Sequence, residues 1–361
     1  MSLRAHLEQW LHRQWNKRGL FSCMLRPLSL LAQSYIRRKA AQPRATLSFT
    51  PPPIIVVGNI IIGGAGKTPV VLALCEFLKS QGWQPGIISR GYGVTIDGEP
   101  RVGQGQLDAT QFGDEPALLA EQSQVPIAVH PKRVLALQAL CAQHPEVNVI
   151  IADDGLQHQA LPRDVEIIVQ DARGVGNGLI LPAGPLREMP SRLSQADWLI
   201  TQLAPRQSLP NTPTPNRRDR CVSMRLWPNY FKQLSTGKIM QASDWLQHHA
   251  TDSHSAVAAI GQPGRFFNML NEFGLDLEHQ IALPDHAQPT VAVFAQLSSQ
   301  FLLITAKDAV KCQSISDPRI WVVYAHPQFT PADWLLGVHQ HLQSLALVDR
   351  TSRENYGITS T

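Results

Sequence analysis

From Ile54 onward, short and wholly apolar runs alternate with longer segments whose apolar residues recur at helical spacing. "IIVVG", "PGIISRG", "VPIAVH", "VNVIIADDG", "DVEIIVQDA" and "ADWLITQ" are such runs, bounded by turn residues. Strands buried on both faces of a parallel sheet read this way, because helices cover each side and neither face needs polar residues. Between the first two lies "PVVLALCEFLKSQG", a helix pattern with Pro69 in its first turn and Gly82 at its end. The alternation predicts a doubly wound α/β sheet.

Residues 204–220, "APRQSLPNTPTPNRRDR", hold four prolines and little that is apolar, which reads as a linker or exposed crossover. Beyond it "SAVAAIG", "FLLIT" and "RIWVVYA" read as strands, and "RFFNMLNEFG" and "PADWLLGVHQHLQSL" as helices, making a smaller α/β unit. Before Ile54, residues 3–36 set Leu3, Leu7, Trp10, Leu11, Leu25, Leu28 and Leu31 against Arg4, Arg13, Arg18 and Arg26 at helical spacing. A helix lying in a lipid interface and a helical hairpin packed on the body fit that pattern equally. The expected division is a basic amphipathic segment over 1–45, a first core over 46–204, a linker over 205–222, a smaller α/β domain over 223–345 and a polar tail over 346–361.

Composition narrows the class. With 361 residues, 43% hydrophobic and 17% charged, the chain is an ordinary globular one, long enough for two cores. Its five cysteines are scattered and form no CxxC pair, which argues against a zinc site or disulfide framework and fits a reducing cytosol. The net charge of +4 conceals an asymmetry: residues 1–50 carry nine Lys or Arg against Glu8 alone, a net +8, leaving −4 for the rest. A basic start on an acidic body points to an anionic surface, membrane or nucleic acid. No apolar run reaches the ~18 residues that span a bilayer, and no signal-peptide pattern is evident.

Candidate chemistry begins with "VVGNIIIGGAGKTPVV", where Gly66, Lys67 and Thr68 end a phosphate-binding loop whose usual first glycine is replaced by Ile61. Glycines at 58, 63 and 64 still let backbone N–H groups face phosphate oxygens, and a helix starting near Lys67 aims its positive end at them. Lys67 suits the β and γ phosphates and Thr68 suits Mg²⁺. In "NVIIADDGLQH", Asp153 and Asp154 follow a strand at the end that faces the ligand crevice, and with the loop they read as a magnesium-holding pair. "FGDEP" offers Asp114 and Glu115, as an acceptor-side base or as the acidic first turn of a helix. Arg187 in "PLREMPSRL" is a phosphate clamp or, by default, a surface arginine. Asp285 and His286 in "ALPDHAQP" are a turn or a tuned pair. Lys307 and Asp308 in "LLITAKDAVK" are adjacent, so they fail the guanine-reading spacing and count against a GTPase.

Taken in order, "VGNIIIGGAGKTP", "ISRGYG", "GDEPALLA", "HPKR", "DDGLQH", "RDVEIIVQDA", "GNGLILPAGPLRE", "GQPGRFF", "PDH" and "TAKDAVK" resemble one family over most of residues 50–312: tetraacyldisaccharide 4′-kinase, the lipid A 4′-kinase. The resemblance implies transfer of the γ-phosphoryl group of ATP to the 4′-hydroxyl of an acylated disaccharide 1-phosphate, with Mg²⁺. On this chain it implies Gly63, Gly64, Ala65, Gly66, Lys67, Thr68 and Pro69 around ATP. It implies Thr68, Asp153, Asp154 and Glu115 around the metal, and Asp114 as catalytic carboxylate paired with His286. His158, Arg187, Glu188 and Arg90 are expected at the acceptor or just behind the site. It further implies two α/β domains and a monomer peripheral to the cytoplasmic face of the inner membrane, with no nucleic-acid partner.

This sequence departs from the family pattern at Ile61 and Ala65, where hydroxyl residues are usual, at Ala287 in place of a second histidine, and at Ala306 in place of a glutamate. Two rivals from other classes are a membrane-recruited ATPase switch of the deviant-Walker type and a nucleic-acid-binding protein. The first lacks its extra lysine, since Ile62 stands there, and the second lacks an aromatic platform beside its basic residues.

Overall fold

The computed structural model describes residues 14–15, 18–41, 47, 49–204, 207–215, 220–285 and 287–355, with backbone alone for Ala40 and 346–355. The chain enters through α1 (Leu20–Ala40). A first run of elements follows: β1 (Ile54–Gly58), α2 (Lys67–Ser80), β2 (Pro85–Ser89), β3 (Arg101–Gly103), α3 (Asp114–Ser123), β4 (Ile127–Val129), α4 (Arg133–Gln143), β5 (Val149–Asp153), β6 (Val165–Asp171) and β7 (Trp198–Gln202). A second run comprises β8 (Cys221–Gln233), β9 (Ile239–Gln241), α5 (Ala242–His249), β10 (His254–Ala258), α6 (Pro263–Phe273), β11 (Leu277–Ala282), β12 (Phe301–Thr305), β13 (Ile320–Thr330) and α7 (Trp334–Asn355).

All of these strands join one sheet, in the order β11-β10-β12-β13-β8-β7-β6-β1-β5-β2-β4-β3, with β9 alongside β8. Pairing is parallel except at β13–β8, β3–β4 and β8–β9. The α/β reading therefore holds. β1 lies between β5 and β6, in register Val57 with Asp153 and Gly58 with Ile168. Every residue of β1, β5, β6 and β7 is buried, as the continuous apolar runs require. Because β1 and β5 are parallel neighbours, the loop after Gly58 and the pair Asp153–Asp154 leave the sheet at the same edge.

β8 was not expected. It begins at Cys221, inside the segment read as linker, pairs in parallel with β7 over Cys221–Met224, then runs antiparallel to β13 as far as Gln233. Pro228 and the charged Arg225 and Lys232 hide it from a hydropathy pattern. The proline is accommodated opposite Ala325 at a register shift, where a ladder donor is not needed. β3, β9 and β11 also carry too few apolar residues to be recognised.

The cores follow the sheet. Val70, Val71, Leu74 and Leu78 of α2 pack with Ile55, Val57, Ile151 and Val169 on one face of the first run, while Ala136, Leu137 and Leu140 of α4 cover Ile54, Val56 and Ile150 on the other. The second run has its own clusters around Phe231, Trp245, Phe267 and Leu270, and around Phe294, Leu302, Ile304 and Val322. The final helix pattern reads as closing the smaller unit, but α7 returns to the first: Trp334, Val338 and Leu342 join the α2 core, and Trp83 Nε1 donates to His339 Nδ1 at 3.0 Å.

Candidate active site

The loop between β1 and α2 is fastened from within and from below. Asn59 is fully buried, and its side-chain amide donates to the carbonyls of Ile61 (2.8 Å) and Gly63 (3.1 Å). The "LPAGPLRE" segment braces it: Ile62 N donates to Pro185 O at 2.9 Å and Arg187 N to Ile60 O at 2.7 Å. Gly66 has φ +87°, a left-handed conformation that a side chain resists, and a Cβ there would strike Gln202. That turn lets α2 start at Lys67, so its N-terminal amides open on the loop. Gly63 and Gly64 are exposed, with their carbonyls held by Asn59 and Arg173. Ile61 is buried against Leu186 and does not line the cleft, so a hydroxyl missing there costs no contact on the cleft side.

Beside the loop, Asp153 and Asp154 have opposite environments. Asp153 is 4% exposed; Ser89 Oγ donates to its carboxylate at 3.2 Å and Arg133 holds its main-chain carbonyl at 3.2 Å. Burial, reinforced by the charge of Glu115, lifts its carboxyl to about 6. Asp154 has φ +49° and turns its carboxylate to two cations: Arg187 at 3.0 and 3.3 Å, and Lys67 Nζ at 3.4 Å. Burial opposes its ionisation, but Lys67 and Arg187 outweigh that and hold it well below the usual carboxylate range. Arg187 also donates to the carbonyl and side-chain oxygens of Asn59. The default reading of Arg187 as a surface arginine is therefore wrong: it links loop, brace and aspartate.

The opposite wall comes from α3 and from the second run. Asp114 and Glu115 open α3 after Gly113. Asp114 Oδ2 lies 3.3 Å from Lys311 Nζ, and Lys307 Nζ donates to Glu115 Oε1 at 2.9 Å while standing 3.7 Å from Asp285 Oδ1. Burial opposes the charge of Lys307, but Glu115 and Asp285 prevail and raise its proton affinity. His286 lies outside the described residues.

Between the walls is a cleft of about 950 Å³ lined by, among others, the whole of Gly63–Pro69. Arg90, Glu115, Asp153, Asp154, Arg187, Asp285 and Lys307 also face it. Asp114, His158 and Glu188 do not line it. Burial, with Arg133, Lys39 and Arg90 close by, lowers His158 to about 4, so its ring is neutral at ordinary pH. Glu188 is 7% exposed, and burial raises its carboxyl. Both lie off the cleft lining.

One cluster was given no role from sequence. Asp171, fully buried at the end of β6, is held by Arg173 at 2.7 Å, Arg265 at 2.6 Å and Gln262 at 3.3 Å. Burial opposes its charge, and the arginines overcome this and lower its carboxyl. Arg173 also reaches Gly64 O at 3.4 Å and Arg265 reaches Gln202 Oε1 at 3.0 Å, so the start of α6 is tied to the phosphate loop. The signal was present in "VQDA" and "GQPGRFF", but only the fold brings the two together.

Among the described residues no group of three or more His, Cys, Asp or Glu is arranged to hold a metal. Mg²⁺ in phosphoryl transfer takes one or two protein oxygens beside phosphate and water. The hydroxyl of Thr68 and the carboxylate of Asp153 are hard donors of that kind, and the raised proton affinity of Asp153 marks a buried negative charge that a cation would compensate. The residues fit the ion. Asp154 and Glu115 are instead engaged by ammonium and guanidinium groups.

Known proteins are similar to this chain in sequence and in fold. Residues 21–343 match the family described as tetraacyldisaccharide-1-P 4′-kinase. A tetraacyldisaccharide 4′-kinase of Bordetella petrii is 44% identical over 330 residues, covering 90% of this chain and 93% of its own length. That of Shewanella denitrificans is 40% identical over 324 residues, covering 87% and 92%. An LpxK crystal structure from Aquifex aeolicus, described in complex with ATP, superposes with a TM-score of 0.69 at 22% identity, covering 90% of this chain and all of that one; this likeness establishes the shared fold.

Proposed function

The chain belongs to the tetraacyldisaccharide 4′-kinase family, and from that premise we propose how its own residues carry out the reaction. The protein is an ATP-dependent kinase that transfers the γ-phosphoryl group to the 4′-hydroxyl of a tetraacyldisaccharide 1-phosphate, a lipid A precursor. The observation that carries the residue-level reading is the cleft itself, with a phosphate loop, Lys67 and the Asp153–Asp154 pair on one side and Glu115, Asp285 and Lys307 on the other.

The backbone of Gly63–Gly66 and the start of α2 receive the triphosphate. Lys67 leaves Asp154 for the β and γ phosphates, and Arg187 keeps Asp154 from being stranded when it does. Thr68 and Asp153 would hold Mg²⁺, which when bound neutralises charge developing on the phosphoryl and leaving oxygens. Asp114 stands beside the cleft-lining Glu115 but off the lining itself, and as the base for the sugar hydroxyl, with His286 its partner, it would reach the acceptor when the two units close. It need only take the proton as the new P–O bond forms, since full deprotonation of an alcohol beforehand is costly at neutral pH. Fixed charges in an enclosed cleft supply the larger share of the rate. We assign the loop side and Glu115 to a core over 46–204, and Asp285 and Lys307 to a smaller unit over 223–345, with α7 packed across the core.

α1 supports a peripheral membrane site. Leu20, Met24, Leu28, Leu31 and Tyr35 are exposed on a helix that also exposes Arg26, Arg37 and Arg38. The opposite side is docked, with Ser29 Oγ donating to Ile180 O at 2.7 Å and Ala32 and Ile36 packed under the brace of the phosphate loop. Apolar residues flanked by cations suit an anionic lipid face, each cation adding roughly 1 kcal/mol. No described helix is long and apolar enough to cross a membrane. The proposed location is the cytoplasmic face of the inner membrane, where an acylated acceptor resides.

The test is incubation with γ-labelled ATP and the disaccharide 1-phosphate in mixed micelles. Label in the lipid supports the reading; label released only as inorganic phosphate, at a rate indifferent to the acceptor, refutes it.

A further inference from the structure

We propose that Lys307 and Lys311 are positioning residues for phosphoryl transfer: from one short turn after β12 they fix the consecutive carboxylates Glu115 and Asp114 at the start of α3. The proposal rests on the reading of Asp114 as the base.

Two carboxylates in adjacent positions repel one another, a cost that facing ammonium groups relieve. Each is met by an ammonium: Asp114 by Lys311 at 3.3 Å and Glu115 by Lys307 at 2.9 Å. The lysines are four residues apart, a spacing that brings side chains to one side of a turn. Both are substantially desolvated. The Lys311 side chain is 10% exposed, and its Nζ is enclosed without a hydrogen bond among the described residues. Sequestering a lysine head group from water is unfavourable unless a fixed partner compensates, whereas a surface lysine would leave stability unaffected.

The turn that carries them is rigid. Thr305 caps the short helix Ala306–Ala309, accepting from Asp308 N. Asp308 is fully buried and accepts from Thr305 Oγ1 at 2.7 Å and from Ala259 N at 3.2 Å. Ala259 leads into Gly261, which lines the cleft with Gly64 of the phosphate loop; a Cβ added there would meet Asp285 Oδ2 at 3.3 Å and Gly64 N at 3.6 Å. One unit, tied together by Asp308, thus lines the cleft across from the phosphate loop at Gly261 and meets the α3 carboxylates through the two lysines. The lysines set where Asp114 and Glu115 stand relative to the phosphate loop.

The test is steady-state and single-turnover kinetics on Lys311→Met, Lys311→Arg, Asp114→Asn and the Lys311→Met/Asp114→Asn double variant, with labelled ATP and acceptor. Lys311→Met is expected to lower kcat roughly tenfold to a hundredfold with KM for ATP within about twofold of wild type. Lys311→Arg should recover most of that, and Lys311→Met should add no further loss once Asp114 is Asn. Should Lys311→Met fail to fold, Lys311→Gln against Lys311→Arg carries the same comparison. Wild-type turnover in the lysine variants, or a loss that persists in full in the Asp114→Asn background, overturns the proposal while leaving the base in place. Wild-type turnover in Asp114→Asn removes the base assignment, and the proposal with it.

Discussion

Lys67 and Arg187 converge on one oxygen of Asp154, at 3.4 and 3.0 Å respectively. On the proposed reading, Lys67 is held by a counter-ion it can exchange for ATP, and the arginine remains to balance the aspartate afterwards. Arg187 does this with a fork that also grips Asn59, the residue that ties the loop together.

Arg187→Lys should therefore behave as a damaging change. A lysine keeps the charge but cannot span Asp154 and Asn59 at once. KM for ATP is expected to rise about tenfold or more, with melting temperature little affected. ATP titration by calorimetry checks this, and unchanged affinity would show that the fork is dispensable.

Asp114→Ala should depress kcat by about 10²–10⁴-fold, the usual contribution of a positioned base, while ATP still binds. Loss of nucleotide binding in this variant would make Asp114 a structural residue instead.

Asp153 gives a pH signature. Its carboxyl titrates near 6 in the fold and near ~4 when unfolded. The folded state binds the proton more tightly, so stability falls as pH rises from the unfolded value through the folded one, and the penalty is complete above it. Asp153→Asn removes that penalty. In nucleotide-free protein its stability advantage over wild type should grow between pH 4 and pH 8 by on the order of 3 kcal/mol. Denaturation at the two pH values measures it; a constant difference would mean that the carboxyl is not shifted.

The exposed side of α1 can be tested without undocking the helix. Met24→Glu with Leu31→Glu should release the protein from anionic vesicles while ATP affinity stays at wild-type level. Deleting residues 2–36 is a blunter change, because it also removes Ser29 and its bond to Ile180 under the phosphate loop. Undiminished sedimentation of the double variant with vesicles would refute a membrane role for this face.

How much of this was legible beforehand follows from how local each signal is. β1, β5, β6 and β7 announce themselves because strands buried on both faces need only apolar residues. The phosphate loop is written within a dozen positions. β8 is not: its pairing with β7 and β13 is long-range, and Pro228 breaks the local pattern. The return of α7 to α2 is set by Trp334, Val338 and Leu342 finding a distant core, which helical periodicity cannot address. Arg187, Lys307, Lys311 and the Asp171 cluster acquire meaning only from partners tens to hundreds of residues away. Burial of Ile61 away from the cleft is likewise set by its pairing with the distant Leu186.

The most direct test of the account compares two acceptors, the acylated disaccharide 1-phosphate and its 4′-deoxy analogue, with γ-labelled ATP and the product characterised by phosphorus NMR and mass spectrometry. The account predicts a second phosphate at the 4′ position of the first acceptor and no labelled lipid from the analogue. Equal labelling of both, or ATP turnover of equal rate with neither lipid phosphorylated, would contradict it.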